Sequence, residues 1–161
     1  MAAKSTDEKT NVMRLLEQKK IPYQKHVYTH IPSTNGREIA EILGQDPDRV
    51  FKTLVTQGKS GNYYVFVIPV CEELNLKKAA KAVSEKAVSM IPQKQLLPLT
   101  GYIHGGCSPI GMKKLFPTIL HETALLYDTI CFSGGKIGYQ VEVAPDQLIG
   151  MIGADSADVC D

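Results

Sequence analysis

The chain has 161 residues, 43% of them hydrophobic, with 18 basic residues against 17 acidic ones and a net charge of +1. This length suits one compact domain with a real core, and the charge balance excludes a global field for a polyanion, so any nucleic-acid contact must come from a local patch. No apolar run approaches the length of a signal peptide or a membrane span, so the expectation is a cytosolic protein with no membrane partner.

Residues 1–9 read as a disordered leader, and residues 10–161 as the folded unit. Val12, Leu15 and Leu16 at helical spacing predict an amphipathic, core-packing helix that ends near Lys20. Pro22 stops it, and Tyr23 to Tyr28 alternates as a strand. His26 and His30 are four apart, but extended chain separates them, so no metal pair is expected there. Ser33-Thr34-Asn35-Gly36 is a turn, followed by a short helix carrying Ile39, Ile42 and Leu43 with Gly44 as its C-terminal cap. After the turn at Asp46-Pro47-Asp48, Val50–Thr56 and Tyr63–Ile68 form a hairpin. Lys52 falls inside its first strand, where an ammonium must either reach solvent or face an anion.

Asn75 caps a helix whose outer side carries Lys77, Lys78 and Lys81, a modest basic patch. Val88–Ile91 is a strand and Pro92–Leu97 a short helix. Thr118–His121 and Leu125–Phe132 read as strands, Ser133-Gly134-Gly135-Lys136 as a glycine turn, and Gln140–Val143 as another strand. Pro145 opens a helix through Ile149, after which the acidic tail frays. Strands and helices mix without a βαβ repeat, so the fold class is α+β, or mixed α/β, around one curved sheet.

The segment Thr100–Gly111 is the richest in special residues. Gly101, Gly105, Gly106 and Gly111 permit positive φ and close backbone approach, and Pro109 fixes a turn. Successive N–H groups in such a loop form a concavity for an anion or a developing oxyanion, to which Ser108 adds a hydroxyl. The plainer reading is a tight loop that needs glycine only to turn. Lys113 and Lys114 add positive charge just beyond it. Cys71, Cys107, Cys131 and Cys160 are scattered, which argues against a disulfide framework or a zinc ribbon. His104 and Cys107, three apart, raise a metal site with Cys71 or Cys131, or a Cys-His nucleophile, and the spacing fits neither strongly.

Phe51-Lys52-Thr53-Leu54, Leu76–Lys81, Thr100-Gly101-Tyr102 with Gly105–Gly111, and Ser133–Lys136 occur in the order seen in the YbaK/EbsC family, which the chain resembles over its whole length after the leader. That family is similar to the editing domain of prolyl-tRNA synthetase, and its best-known branch consists of free-standing Cys-tRNA(Pro) deacylases. The resemblance implies a trans-editing enzyme that removes cysteine from tRNA(Pro), with aminoacyl-tRNA as substrate and prolyl-tRNA synthetase as a partner. By resemblance Lys52 is required for activity, orienting the 3′-terminal nucleotide or its phosphate rather than acting as a base. Tyr28, Phe51, Thr53, Ser133, Gly134 and the backbone of Gly101, Gly105, Gly106 and Ser108 match the family's substrate pocket. The implied chemistry is substrate-assisted: the cysteinyl thiolate attacks its own ester, so no enzyme nucleophile, metal or cofactor is expected, and Cys107 becomes a bystander.

Two positions depart from the best-studied members, which carry a basic residue after Lys136 and an acidic residue near 140; this chain has Ile137 and Gln140. A sister branch that hydrolyses Ala-tRNA(Pro) with water therefore stays open. So do two other readings: a Cys-His hydrolase at Cys107 and His104, and a noncatalytic nucleotide- or RNA-binding module.

Overall fold

Polar side chains cap the first three helices, at Asn75 as expected from the sequence. The computed structural model describes residues 9–33 and 35–161. The expected leader lies outside the described residues except Lys9, whose ammonium pairs with Glu17 at 2.9 Å, and so does Thr34 of the expected turn. The Thr10 hydroxyl accepts the Met13 amide at 3.3 Å and opens α1 (Asn11–Gln18), which buries Val12, Met13 and Leu16 completely. Asn35 accepts the Glu38 amide at 3.0 Å at the start of α2 (Gly36–Ile42), and Asn75 accepts the Lys78 amide at 3.0 Å at the start of α3 (Leu76–Ala82). Each satisfies a backbone donor that the helix itself leaves without a partner.

The strands are β1 (Gln24–Val27), β2 (Phe51–Gly58), β3 (Tyr63–Pro69), β4 (Val88–Met90), β5 (Thr118–His121), β6 (Ile130–Ser133), β7 (Tyr139–Val143) and β8 (Asp155–Ala157). They form the expected mixed α+β fold, but on two ladders rather than the one curved sheet expected, because among the described residues only an isolated bridge joins them. A five-stranded ladder runs β4-β2-β3-β5-β8, antiparallel except at the parallel pairs β3/β5 and β5/β8, and an antiparallel ladder runs β1-β7-β6. The two ladders meet at one parallel bridge, Val50 to Cys131, and curve around a common core. Strand β3 explains its own unbroken apolar run. Val65 and Val67 enter the core shared with α1, β6 and β7, while Phe66 and Ile68 enter a second core under α3, so both faces are buried.

Three further expectations need correction. The strand expected over Leu125–Phe132 is only Ile130–Ser133; Glu122–Leu126 forms a 3-10 turn that leaves Leu126 77% exposed, because among the described residues no strand pairs with the run before Ile130. The acidic tail does not fray. β8 adds to β5, Val159 and Cys160 are buried in the second core under α3, and the Val159 carbonyl accepts the Asn75 amide at 2.8 Å. The basic patch on α3 is correspondingly weaker than its three lysines suggest. The Lys78 ammonium donates to Asp158 at 2.9 Å and to the Cys160 carbonyl at 2.8 Å, which also raises its pKa, chiefly through the Asp158 bond. Two further α-helices complete the set, α4 (Leu96–Thr100) and α5 (Pro145–Ile152). Among the described residues no helix is long and apolar enough to cross a membrane.

Candidate functional site

The hairpin β2–β3 is paired along its full length, but β4 covers the outer edge of β2 only from Thr56 onward. A cavity of about 280 Å³ opens beside the uncovered half. Phe51, Lys52, Thr53 and Leu54 line it from β2, Asn35, Gly36 and Ile39 from the start of α2, and Phe132, Ser133 and Gln140 from the other ladder. Tyr28 closes one end, and His104, Gly105 and Cys107 reach it from the glycine loop. No carboxylate is among the lining residues, and Lys52 makes no hydrogen bond or ion pair with any described residue. An unpaired cation in a concave, half-dry site favours an anionic ligand. The buried Thr53 hydroxyl is likewise without a partner among the described residues.

Six of the ten site residues expected from sequence, Tyr28, Phe51, Lys52, Thr53, Gly105 and Ser133, thus converge on one cavity. The other four build its frame instead. Gly101 has φ +86° and ends α4, its amide donating to the Leu97 carbonyl at 2.8 Å. A β-carbon on Gly106 would lie 3.1 Å from the Ile137 backbone nitrogen, so this glycine lets the two glycine loops touch. Gly134 donates to the Tyr139 carbonyl at 2.8 Å and turns β6 into β7. Ser108 is fully buried, its hydroxyl accepting the Ile110 amide at 3.3 Å, so it adds nothing to an anion nest. The expected concavity of amides narrows accordingly. Gly101 and Gly106 spend their N–H groups on local carbonyls and Tyr102 on the Thr100 hydroxyl, whereas the Gly105 and Cys107 amides have no acceptor among the described residues.

Burial separates the cysteines by reactivity. Cys107 lines the cavity, but burial pushes its thiol up to about 12, and no hydrogen bond joins it to the exposed His104. That is a thiol, not a thiolate, at neutral pH, and it weakens the Cys-His reading. Neither Cys71, which is exposed, nor His104 gathers with Cys131 as a metal set. Among the described residues the group whose ligand atoms lie within 4.8 Å is His26, Cys131 and Glu142. Glu142 is already engaged: it bonds His26 at 2.8 Å, accepts from Thr129 at 2.5 Å and lies 3.7 Å from the Arg49 guanidinium. The Thr129 hydrogen bond, opposed by desolvation and helped by His26 and Arg49, lowers its pKa. This cluster ties β1, β6 and β7 together and behaves as a structural clamp.

Sequence reasoning missed Asn35, Ile39, Leu96 and Phe132, which carry no chemistry legible from local spacing. Gln140 stood out only as a departure from a pattern. In the cavity wall it is 5% exposed, its carbonyl accepting from the Gln45 amide at 2.8 Å. A neutral side chain here is consistent with a cavity in which, among the described residues, Lys52 is the sole charged lining group apart from the titratable His104.

Against known proteins, residues 32–151 match the family model of the aminoacyl-tRNA editing domain. A protein of Enterococcus faecalis named as a candidate Cys-tRNA(Pro)/Cys-tRNA(Cys) deacylase, EbsC, is 46% identical over 160 residues, covering 99% of this chain and 98% of its own. Two crystal structures share the fold. One, of a hypothetical protein, has a TM-score of 0.87 at 23% identity, covering 94% of this chain and 100% of that one. The other, of a candidate trans-editing enzyme for prolyl-tRNA synthetase, has a TM-score of 0.79 at 24% identity, covering 94% and 98%.

Proposed function

This chain belongs to the aminoacyl-tRNA editing domain family, and on that premise we propose that its cavity removes cysteine from mischarged tRNA(Pro). The observation that carries the reading is Lys52, an ammonium with no partner among the described residues, on a cavity whose described lining holds no carboxylate. It suits a substrate whose terminal nucleotide brings phosphate and whose side chain ionises. A synthetase pocket sized for proline cannot strongly reject cysteine, so a second site has to discard the error.

The cysteinyl thiol supplies the nucleophile. Its sulfur attacks the ester carbonyl, the bond from that carbon to the ribose oxygen breaks, and the thiol proton ends on the ribose hydroxyl as a four-membered thiolactone departs. The Gly105 and Cys107 amides face the oxyanion, and Lys52 favours the thiolate and holds the terminal nucleotide. Gly101, Gly106, Ser108 and Gly134 support the loops that place these groups, and residues 10–161 act as one editing unit. Prolyl-tRNA synthetase presents the mischarged tRNA(Pro) in the cytoplasm, because a chain of net charge +1 contributes little long-range attraction of its own.

The test is deacylation of Cys-tRNA(Pro) beside Ala-tRNA(Pro), with the released product identified. Loss of cysteine as the thiolactone supports the reading. Loss of alanine alone assigns the chain to water-driven hydrolysis, and turnover of neither leaves a binding module.

A further inference from the structure

Side chains alternate across a strand, so consecutive residues point to opposite faces. Phe51 and Val55 indeed enter the core shared with α1, and Leu54 the core under α3. Yet Phe51, Lys52, Thr53 and Leu54 all line one cavity, which is possible only where the cavity meets the edge of the strand and sees its backbone. The register says which backbone groups it sees. The Val50 carbonyl accepts the Val70 amide at 2.8 Å, and at the other end of the hairpin the Gly58 amide donates to Asn62 at 2.8 Å. Antiparallel pairing alternates, so Val50, Lys52, Leu54, Thr56 and Gly58 turn their N–H and C=O groups toward β3, and Phe51, Thr53 and Val55 turn theirs away. The Val55 carbonyl is covered by the Ile91 amide at 3.3 Å, and Val50 bridges to Cys131 beyond the other end. Between these covers, the Phe51 carbonyl and the Thr53 amide are the outward-turned groups of two residues that line the cavity, and the Thr53 hydroxyl is buried without a partner among the described residues.

A carbonyl and the N–H two residues on, along one strand edge, present an acceptor and a donor side by side. Adenine carries the complement, the N6 amino donor next to the N1 acceptor, and in a single-stranded end that edge is free of pairing. We propose that the Phe51 carbonyl and the Thr53 amide read the Watson–Crick edge of the substrate's 3′-terminal adenine. This rests on the aminoacyl-tRNA reading above and deepens it. Lys52 stands between the two backbone groups, so the base anchored there sets its ribose and phosphate beside the ammonium. Ile39 and Leu96 line the same cavity and supply apolar surface for the faces of the base.

The experiment compares Cys-tRNA(Pro) ending in adenosine, inosine or 7-deazaadenosine. Inosine reverses donor and acceptor on the edge in question, whereas 7-deazaadenosine removes only the N7 acceptor of the neighbouring Hoogsteen edge and keeps N6 and N1. The expected result is a loss of about tenfold to a hundredfold in kcat/KM for inosine and none for 7-deazaadenosine. Equal turnover of adenosine and inosine, or an equal loss with 7-deazaadenosine, overturns the proposal. On the protein side, Thr53→Pro deletes an N–H that the ladder does not use, so the strand should tolerate it. It should erase the preference for adenosine over inosine, while Thr53→Val, which keeps the N–H, should retain it; a preference that survives Thr53→Pro counts against us. If Thr53→Pro fails to fold, the substrate series decides alone. If the wild type deacylates nothing, the functional reading fails separately, and titration with adenosine and inosine monophosphates decides this one. A shift of the Thr53 amide resonance with the first nucleotide and not the second supports it, and equal or absent shifts overturn it.

Discussion

Lys52 and Glu142 are both partly buried charges on strands that meet the same cavity region, and they are treated in opposite ways. Glu142 has its oxygens occupied by His26 and Thr129, with Arg49 at 3.7 Å, whereas Lys52 has no hydrogen-bonding or ion-pairing partner among the described residues. Desolvating a charge is unfavourable unless partners replace the lost water. The clamp at Glu142 meets that cost inside the fold. At Lys52 the cost is left standing until an anion arrives, which is the arrangement expected where a fold gives up stability to hold a ligand.

The sharpest way to break this comparison is Lys52→Ala. Deacylation of Cys-tRNA(Pro) should fall by about a hundredfold or more, with no loss in thermal stability, since no internal bond is removed. A large drop in melting temperature with activity retained would reverse the roles assigned to the two charges.

Glu142→Gln should do the opposite. Unfolding in urea should show a loss of about 1 to 3 kcal/mol near neutral pH while the folded protein still deacylates. The sign with pH follows from its lowered pKa. A carboxylate held below its ordinary 4.5 stabilises the fold above that value and loses the contribution as pH falls through the folded pKa. The wild type should therefore converge on the variant as solutions are acidified below 4.5, and a stability gap unchanged down to pH 2 would contradict the clamp.

A smaller effect, intermediate in kind, is expected at the seam between the two glycine loops. Gly106→Ala places a β-carbon 3.1 Å from the Ile137 nitrogen, a backbone atom that cannot swing aside. About 1 kcal/mol of stability should be lost, with a rise in KM as Gly105 shifts relative to β2, measurable by urea titration and steady-state deacylation. Unchanged KM would mean that the loop does not position the Gly105 and Cys107 amides.

The order of elements as far as α5, the Asn75 cap, the Gly44 helix end and the β2–β3 hairpin were legible in the chain, because capping, turn chemistry and alternation act over a few residues and leave local patterns. Lys52 was legible for the same reason, as a charge out of place in an apolar strand. The acidic tail was misleading because its aspartates read as solvated until Lys78 and Asn75 are brought to it from α3. Strand β6 was over-extended back to Leu125 because hydrophobicity alone does not reveal whether a neighbouring edge exists.

What the amino-acid sequence determined by itself was therefore the set of local structures, the family motifs and the one misplaced cation. Tertiary structure alone decided which glycines line the cavity and which frame it, that Gln140 meets Gln45, and that half of β2 keeps an open edge. These depend on contacts between residues far apart in the chain, such as Gly106 with Ile137, Val50 with Cys131 and Val55 with Ile91, and their spacing along the chain carries no trace of the distance between them in space.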